Sequence, residues 1–366
     1  MVSCKEETKN NTETGSAIPN ESSIKYAKSF EVNSFEGYKT ITLTNPWPGT
    51  EKTFTYALVE KNGSLQNPEN FDAVVQVPIE KMVVTSTTHI PSLEMLGETN
   101  SLVGFPDLSF ISSEKTRKRI ANDEITELGK NEDINTEILI DLAPDAIIGF
   151  AIDGNNSTFS TIQKTGIPVL YNSDWTETSP LGKAEWIKFF GLLFKKEKQA
   201  DSIFNTIEKK YLEVKDLAAT AAETPTVISG AMFKDVWYMP QGNSWGAQFI
   251  ADAHGDYLWK NAKGTGSLSL NLESVIEKGH DAEVWIGPGQ FTSLEEIKNA
   301  SDAYAQFKAF KDEKVYSYSM KKGATGGVIY FELAPNRPDL VLKDHVKILH
   351  PELLPEYQLY FFDKLQ

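Results

Sequence analysis

The sequence predicts an α/β protein of two lobes with parallel sheets, joined by one long helix and preceded by a β-hairpin extension. Short apolar runs recur between helical segments, which is typical of parallel sheets covered on both faces. An amphipathic stripe in the middle of the chain is long enough to run the length of a domain. The 366 residues correspond to two or three domains at roughly 150 residues each.

Composition and charge narrow the class of partner. Apolar residues make up 40% and charged residues 24% of the chain, which indicates a globular protein. Lys and Arg total 36 against 51 Asp and Glu, a net charge of −15. Such a surface repels phosphate backbones and anionic lipid, so we expect no nucleic acid partner. No stretch approaches the ~20 apolar residues that span a bilayer, so membrane contact is expected only through a lipid anchor.

The only cysteine, Cys4, suggests that anchor. Residues 1–4, Met-Val-Ser-Cys, resemble the tail of a bacterial lipoprotein cleavage box, in which Cys4 would become the lipidated N-terminus. The hydrophobic signal segment expected before such a box is absent, and we expect it to have been removed. Residues 1–23 are polar and predict a disordered tether. The run Cys-Lys-Glu-Glu resembles a signal for the bacterial cell surface, so both periplasm and cell surface are expected locations; an incidental surface cysteine is the alternative.

Residues 24–77 predict the β extension. Two β-rich runs, 38–43 and 53–59, flank the turn-rich segment 45–49, Asn-Pro-Trp-Pro-Gly, which is a hairpin signal. Residues 78–178 then predict an N-lobe of alternating strands and helices. Its apolar runs lie at 82–85, 102–105, 146–150 and 167–171.

A spine helix is predicted over 179–222. Ser179 and Pro180 are a good helix start. Beyond them, apolar residues recur at helical spacing within 197–220 and form one stripe: Ala200, Ile203, Phe204, Ile207, Tyr211, Val214 and Leu217. Strand and helix alternation resumes in the predicted C-lobe, 223–366, which ends in a helix near 338–349.

The two lobes share a short pattern. Asn135 precedes Glu137 by two residues and Asn271 precedes Glu273 by two, and each glutamate is followed eight residues later by Asp-Ala before a strand. Each Asn suits a helix N-cap, and each Glu then lies in the first turn. A glutamate in the first turn of a helix stabilises the helix by a few tenths of a kcal/mol through the helix dipole, and this explains either glutamate taken alone. It explains less well why the same residue lies at equivalent places in two lobes.

These features resemble the helical-spine class of ABC-transporter substrate-binding proteins, which bind iron–siderophore complexes, haem or cobalamin. The resemblance covers roughly residues 78–366 and includes the opening strand and helix 83–97, Leu-Ala-Pro-Asp-Ala-Ile-Ile at 142–148 and Pro-Asp-Leu-Val-Leu at 338–342. It implies that Glu137 and Glu273 dock onto arginines of a membrane permease. The segment before residue 78 is outside the shared core.

Candidate ligand contacts follow from the strand ends. In a parallel α/β sheet, ligands lie outside the carboxyl ends of the strands. Aromatic side chains there would line a mouth for a flat, bulky ligand, although any one of them could be ordinary core. The candidates are His89, which could hydrogen-bond a ligand, and the aromatic residues Phe110, Phe150, Trp175, Trp245 and Tyr330.

The expected ligand is an iron chelate of neutral or weakly charged type, such as a hydroxamate siderophore complex. The five histidines show no paired spacing for a bare metal ion, so no metal site is expected. Segment 129–136 lacks the tyrosine that the resemblance associates with haem. That segment and 264–272 also lack the tryptophans of cobalamin binders, yet a corrinoid stays open as an alternative. Catecholate complexes usually meet several arginines, and the chain has only three.

No enzyme and no cofactor are expected. Segment 323–327 is glycine-rich, but it lacks the Gly-Lys-Ser/Thr ending of a phosphate loop, and no Gly-x-Ser-x-Gly or His-Glu-x-x-His motif occurs. The expected partners are therefore a small-molecule ligand and an ABC permease, or an outer-membrane receptor if the protein is a cell-surface capture lipoprotein.

Overall fold

The described structure, a computed structural model covering residues 24–151 and 157–366, begins with a four-stranded sheet. Its strands, paired in this order, are β1 (Phe30–Phe35), β2 (Tyr38–Thr44), β3 (Thr53–Glu60) and β4 (Ala73–Val77). β1, β2 and β3 are antiparallel neighbours, and β4 joins β3 in parallel. The predicted hairpin is confirmed as β2 and β3, within a larger sheet. The predicted tether 1–23, with Cys4, lies outside the described residues.

The extension sheet packs directly on the N-lobe. The ring centroid of Phe30 lies 4.5 Å from that of Trp186, and the Tyr171 N–H donates to the Tyr56 hydroxyl over 3.0 Å. Phe30 and Tyr56 belong to the same apolar core as Met82 of the first N-lobe strand. The extension therefore shares the N-lobe core.

The N-lobe is built on a parallel five-stranded sheet. Its strands and a small hairpin are β5 (Met82–Val84), β6 (Leu102–Phe105), β7 (Thr126–Glu127), β8 (Gly129–Lys130), β9 (Asp133–Ile134), β10 (Ala146–Gly149) and β11 (Val169–Tyr171). The sheet order is β11-β10-β5-β6-β7, and β8 pairs with β9. The helices are α1 (Ile90–Met95), α2 (Glu114–Ala121), α3 (Thr136–Leu142) and α4 (Ser157–Gln163). Met82, Val83 and Val84 are fully buried, as expected for a central strand covered on both faces.

The segment 179–222, predicted as one spine helix, is divided into three helices: α5 (Pro180–Glu185), α6 (Ile187–Leu193) and α7 (Glu197–Ala218). The Ser179 side chain caps α5, as predicted. The long helix α7 places Phe204 in the N-lobe core and Tyr211 in the C-lobe core. The Tyr211 hydroxyl donates to Asp252 of the C-lobe over 2.6 Å. One continuous helix therefore belongs to both lobes, which confirms the predicted two-lobed architecture.

The C-lobe contains a five-stranded sheet and a smaller antiparallel one. Its strands are β12 (Thr226–Ser229), β13 (Ala231–Phe233), β14 (Val236–Pro240), β15 (Asp256–Tyr257), β16 (Ser267–Leu270), β17 (Val284–Ile286), β18 (Val315–Ser317) and β19 (Asp363–Lys364). The orders are β15-β12-β17-β18-β19, parallel except for β19, and β13-β14-β16. The helices are α8 (Trp245–Asp252), α9 (Leu272–Gly279), α10 (Leu294–Ala300), α11 (Lys308–Lys311), α12 (Ile329–Leu333) and α13 (Pro338–Leu349).

Within residues 24–151 and 157–366, none of the helices combines the length and the apolar composition needed to cross a bilayer.

Candidate functional site

A cleft of about 1560 Å³ lies between the lobes. One side is made by the C-lobe. The other side is made by residues 175–178, which follow β11, and by the extension, through Ser29 and the turn between β2 and β3.

The C-lobe side is an aromatic wall. Trp245 is the first residue of α8, and the Ser244 side chain caps the N-terminus of this helix. The Trp245 ring lies against Tyr330 of α12, with ring centroids 6.1 Å apart. Tyr318 stacks on Tyr330 at 4.6 Å and 15°. Phe331 meets Tyr330 edge-on at 5.9 Å. Stacked rings leave flat apolar faces, which suit a bulky ligand of low polarity.

The extension side is less aromatic. The turn that we call the extension turn, residues 45–50, lines the cleft with the exception of Pro46. The Asn45 N–H donates to the Lys52 carbonyl over 3.1 Å, which closes the turn. The ring centroid of Trp47 lies 5.6 Å from that of Tyr171 in β11 and 5.9 Å from that of Phe54 in β3. The Trp47 ring is therefore mostly packed against these two strands. Asn45 and Thr50 present an amide and a hydroxyl.

The N-lobe side is short and fixed by a buried lysine. The Lys183 ammonium donates to the carbonyls of Asp174 and Trp175, each over 3.0 Å, and lies 5.2 Å from the centroid of Trp245. Burial lowers the pKa of Lys183. Lys183 therefore links residues 174–175 of the N-lobe to Trp245 of the aromatic wall.

Charge is scarce on the cleft surface. Among the described residues that line it there is no Lys or Arg, and the carboxylates are Glu177 and Glu296. Glu177 is buried and accepts N–H groups of Lys28 and Ser29, each over 2.9 Å. Glu296 accepts the backbone N–H of Thr292, and this bond is the largest cause that lowers its pKa. Both carboxylates are thus already bonded to backbone N–H groups.

Three of the predicted contacts lie on the cleft surface: Trp175, Trp245 and Tyr330. Phe150 lies behind, with its ring 5.9 Å from that of Trp175. Phe110 is 64% exposed and lies outside the lining. The ligand-binding role of all of these residues stays a prediction.

His89 is placed differently from the expectation. It is fully buried, its ring lies 5.6 Å from Phe190, and within the described residues neither ring nitrogen has a hydrogen-bond partner. Desolvation lowers its pKa to about 4, although Asp174 acts in the opposite direction. His89 is therefore a neutral core residue in this structure and does not reach the cleft surface.

The other N-lobe strand ends contact the C-lobe. The N–H groups of Ser112 and Ser113 donate to the Glu332 carboxylate over 2.7 and 2.8 Å. The Ser92 hydroxyl donates to Asn336 over 2.8 Å. A Cβ on Gly323 would lie 2.7 Å from the Ser112 Cα, so only glycine permits this approach. The glycine-rich segment 323–327 thus closes against the N-lobe, and these contacts form an interlobe contact of residues 88–113 with 323–336.

The two matched glutamates are exposed at helix starts in different lobes. The Asn135 side chain accepts the N–H of Glu137 and Ile138 at the start of α3, and Asn271 accepts the N–H of Ser274 at the start of α9. Both predicted N-caps are confirmed. Glu137 and Glu273 are both solvent-exposed, which leaves them free to meet a partner.

The sequence predicted the turn at 45–49 but not that it lines the cleft, and the wall residues Tyr318 and Phe331 were not among the predicted ligand contacts. The segment Asn-Pro-Trp-Pro-Gly marks a turn in the sequence, but a local pattern does not show that this turn reaches the cleft. In the parts of the chain that the structure describes, no three His, Cys, Asp or Glu side chains converge on a possible metal position.

Two α/β lobes that share one long helix and enclose a cleft define a solute-binding protein of two-lobed architecture. The chain belongs to the periplasmic binding protein family, whose model matches residues 82–321. Proteins of this family bind small ligands and work with ABC permeases.

Individual relatives agree with this assignment. The uncharacterized lipoprotein MJ0878 of Methanocaldococcus jannaschii is 28% identical over 305 residues, which cover 81% of this chain and 71% of the relative. A possible iron-binding periplasmic solute-binding protein of Staphylococcus epidermidis shares the fold with a TM-score of 0.59 at 15% identity, covering 75% of this chain and 99% of that one. The vitamin B12 binding protein BtuF of Vibrio cholerae has a TM-score of 0.52 at 12% identity, covering 76% and 99%.

Proposed function

We propose that the protein captures a neutral or weakly charged iron chelate, of the hydroxamate siderophore type, in the cleft and delivers it to an ABC permease. The observation that carries this proposal is a large aromatic cleft with no cationic side chain among its described lining residues. The family and the iron-binding description of the Staphylococcus epidermidis protein support a metal chelate as the ligand class.

Charge argues against the anionic alternatives. A trianionic catecholate complex, or haem with its two carboxylates, would lose water in the cleft without meeting a cation there. Burying a charge without a partner costs several kcal/mol, which a net charge of −15 on the protein can only increase. A neutral chelate avoids this cost and keeps the full gain from the aromatic wall.

A corrinoid is the second candidate. Pockets for drug-sized ligands have volumes of roughly 300–1,000 Å³, and the cleft of about 1560 Å³ is larger. A vitamin B12 binding protein shares the fold. The volume therefore favours a ligand of corrinoid or siderophore size over a small metabolite.

Docking and anchoring complete the proposal. Glu137 and Glu273, one in each lobe, are proposed to contact permease arginines, because a carboxylate and a guanidinium can form a bidentate, charge-assisted pair. Cys4 is proposed to carry a lipid anchor on the periplasmic side or at the cell surface, supported by the lipoprotein relative MJ0878. If the anchor faces outward, an outer-membrane receptor would take the place of the permease. Binding without catalysis is the proposed activity in either position.

Native mass spectrometry of the purified protein tests the ligand class. The probes are a ferric trihydroxamate, a ferric catecholate, haemin and cyanocobalamin, each mixed separately with the protein. We expect a one-to-one complex with the ferric trihydroxamate or with cyanocobalamin, and none with the ferric catecholate or haemin. Binding of only the anionic probes would overturn the neutral-ligand proposal.

A further inference from the structure

The extension supplies one side of the cleft. Among the described residues of the N-lobe, only 175–178 line the cleft, whereas the extension adds Ser29 and most of the extension turn. All of these extension residues precede residue 82, where the family match begins. The additional side is therefore built by a part of this chain outside the family core.

Buried carboxylates hold this side in position. Glu185 is fully buried and accepts the N–H groups of Lys25, Tyr26 and Ala27 over 2.6 to 2.9 Å. Glu177 accepts the N–H groups of the next two residues, 28 and 29. Five successive backbone donors are thus bonded to two side chains of the segment that continues the N-lobe side of the cleft. A wall fixed in this way has a defined distance from the aromatic wall opposite.

The two sides differ in chemistry. The C-lobe side presents stacked aromatic faces. The extension turn adds, beside Trp47 and Pro48, the Asn45 amide and the Thr50 hydroxyl, whose oxygen accepts the Lys52 N–H over 3.1 Å. A ligand that fills the space would meet apolar rings on the C-lobe face, and neutral hydrogen-bonding groups beside Trp47 and Trp175 on the other face. Amide and hydroxamate groups are of this kind.

We propose that the extension turn, residues 45–50, is a specificity element that limits ligand size and hydrogen-bonds the neutral polar face of the ligand. The ligand class in this proposal rests on the proposed function; the steric role of the turn does not. An N-terminal segment outside the family core would then decide which members of that class are accepted.

Two matched pairs of variants test the proposal. Thr50→Trp adds bulk to the cleft side of the sheet, and Gln66→Trp places the same side chain in the exposed connection at the other end of β3. Asn45→Gly removes the amide, and Asn67→Gly removes the same group at a residue of nearly the same backbone conformation, φ 49° against φ 52°. Glycine tolerates this φ, so neither change strains the chain.

Nile red, a neutral flat dye, reports the steric role whatever the natural ligand is. We expect Thr50→Trp to weaken its binding about tenfold, and Gln66→Trp to leave it within about twofold of the original protein. Equal affinities in these two variants, or no Nile red binding by the unmodified protein, would overturn the steric role.

Titration with a ferric trihydroxamate and with cyanocobalamin tests recognition. We expect Asn45→Gly to weaken binding about three- to tenfold and Asn67→Gly to have no effect. Equal affinities in that pair would overturn the hydrogen-bonding role. If the unmodified protein binds neither probe, the proposed function fails and the hydrogen-bonding role fails with it, while Nile red still decides the steric role.

Discussion

The two lobes carry similar parallel sheets but use the carboxyl ends of their strands differently. In the C-lobe, Gly230 and Gly287 follow β12 and β17 directly and line the cleft. In the N-lobe, the segments after β5 and β6 contact the other lobe through Ser92 and Ser112. The extension, together with residues 175–178, lines the side of the cleft opposite the C-lobe. The strand-end rule thus locates the functional edge of a sheet but does not say whether an edge meets ligand or protein.

The largest expected effect concerns the attachment of the extension. Glu185→Ala removes the acceptor for three backbone N–H groups and one partner of Lys188, so we expect a loss of about 3–5 kcal/mol in the free energy of unfolding. Denaturant titration measures it. Glu197→Ala is the control, because its pair with Lys39 is partly exposed and is worth about 1 kcal/mol or less. Equal losses in both variants would show that the extension is held in place by other contacts.

The matched glutamates compare the lobes at their docking ends. We expect the double variant Glu137→Ala with Glu273→Ala to lose transport in cells, because truncating one side of an interfacial charge pair costs about 2–5 kcal/mol. Ligand affinity in solution should not change, since both residues are exposed helix-start residues outside the cleft lining. Uptake assays and solution titrations give the two readouts.

A control pair for docking is Glu132→Ala with Glu277→Ala, which removes two other exposed glutamates of the same regions. Transport should survive in that control. Normal uptake by the Glu137 and Glu273 double variant would favour an outer-membrane receptor or another docking face, and lost ligand affinity would move both carboxylates into the ligand site.

The interlobe contact should respond to pH. Burial, assisted by the nearby Glu94 carboxyl, raises the pKa of Glu332 from 4.5 to about 7. The folded protein therefore holds this proton more tightly, and the stabilisation is fully present below pH 4.5 and is lost as pH rises through about 7. We expect Glu332→Gln to remove this dependence, which amounts to up to about 3 kcal/mol.

Unfolding by denaturant at a series of pH values between about 4 and 8 measures the difference between Glu332→Gln and the unmodified protein. Taking this difference separates the effect of Glu332 from that of buried histidines such as His345. Desolvation lowers the pKa of His345 to about 4, so its contribution to the pH dependence of the free energy of unfolding has the opposite sign. Curves that run parallel across this range would contradict a titrating interlobe contact.

Removing an aromatic side chain from either side of the cleft should have a smaller effect, on the affinity for the ligand. We expect Trp245→Ala and Trp175→Ala each to weaken ligand binding by about 1–3 kcal/mol, the range for losing an aromatic anchor. Trp245 should cost more, because it belongs to the stacked wall with Tyr330. Phe110→Ala is the control and should leave affinity unchanged, since Phe110 is exposed outside the lining. Isothermal titration calorimetry measures all three.

The smallest effect should be the motion of the lobes. Because α7 contributes to both cores, we expect only a slight rotation between lobes on binding, without the large backbone changes of strand hinges. Small-angle scattering with and without ligand measures the radius of gyration. A large decrease would show that the shared helix does not restrain the lobes.

Local signals predicted much of the fold. The stripe over 197–220 became α7, the caps Asn135 and Asn271 are present, and the final helix is α13 at Pro338–Leu349. Each depends on residues within a few turns of one another, which periodicity and capping chemistry describe.

The placement of the site could not be read in the same way. Glu185 accepts the N–H of Lys25 at the start of the extension, 160 residues away in the chain, and no local pattern encodes such a pairing. His89 follows an apolar strand as a ligand-facing residue would, but packing against Phe190 buries it completely. Three of the six predicted contacts line the cleft because aromatic residues near strand ends are frequent there; the others show that tertiary packing decides which of them face the opening.

The bonds between residues 25–29 and the two buried carboxylates also set an order of assembly during synthesis. Lys25 and Ala27 are 160 and 158 residues ahead of Glu185, so their N–H groups have no acceptor there until the chain has grown past α5. At about 5–20 residues per second, this delay is roughly 10–30 s. The strands of the extension can pair early, but their N-terminal end is attached only when the helices that follow the N-lobe have formed. The N-terminal end of the extension is therefore expected to become ordered last, although it is synthesised before the rest of the extension and the N-lobe.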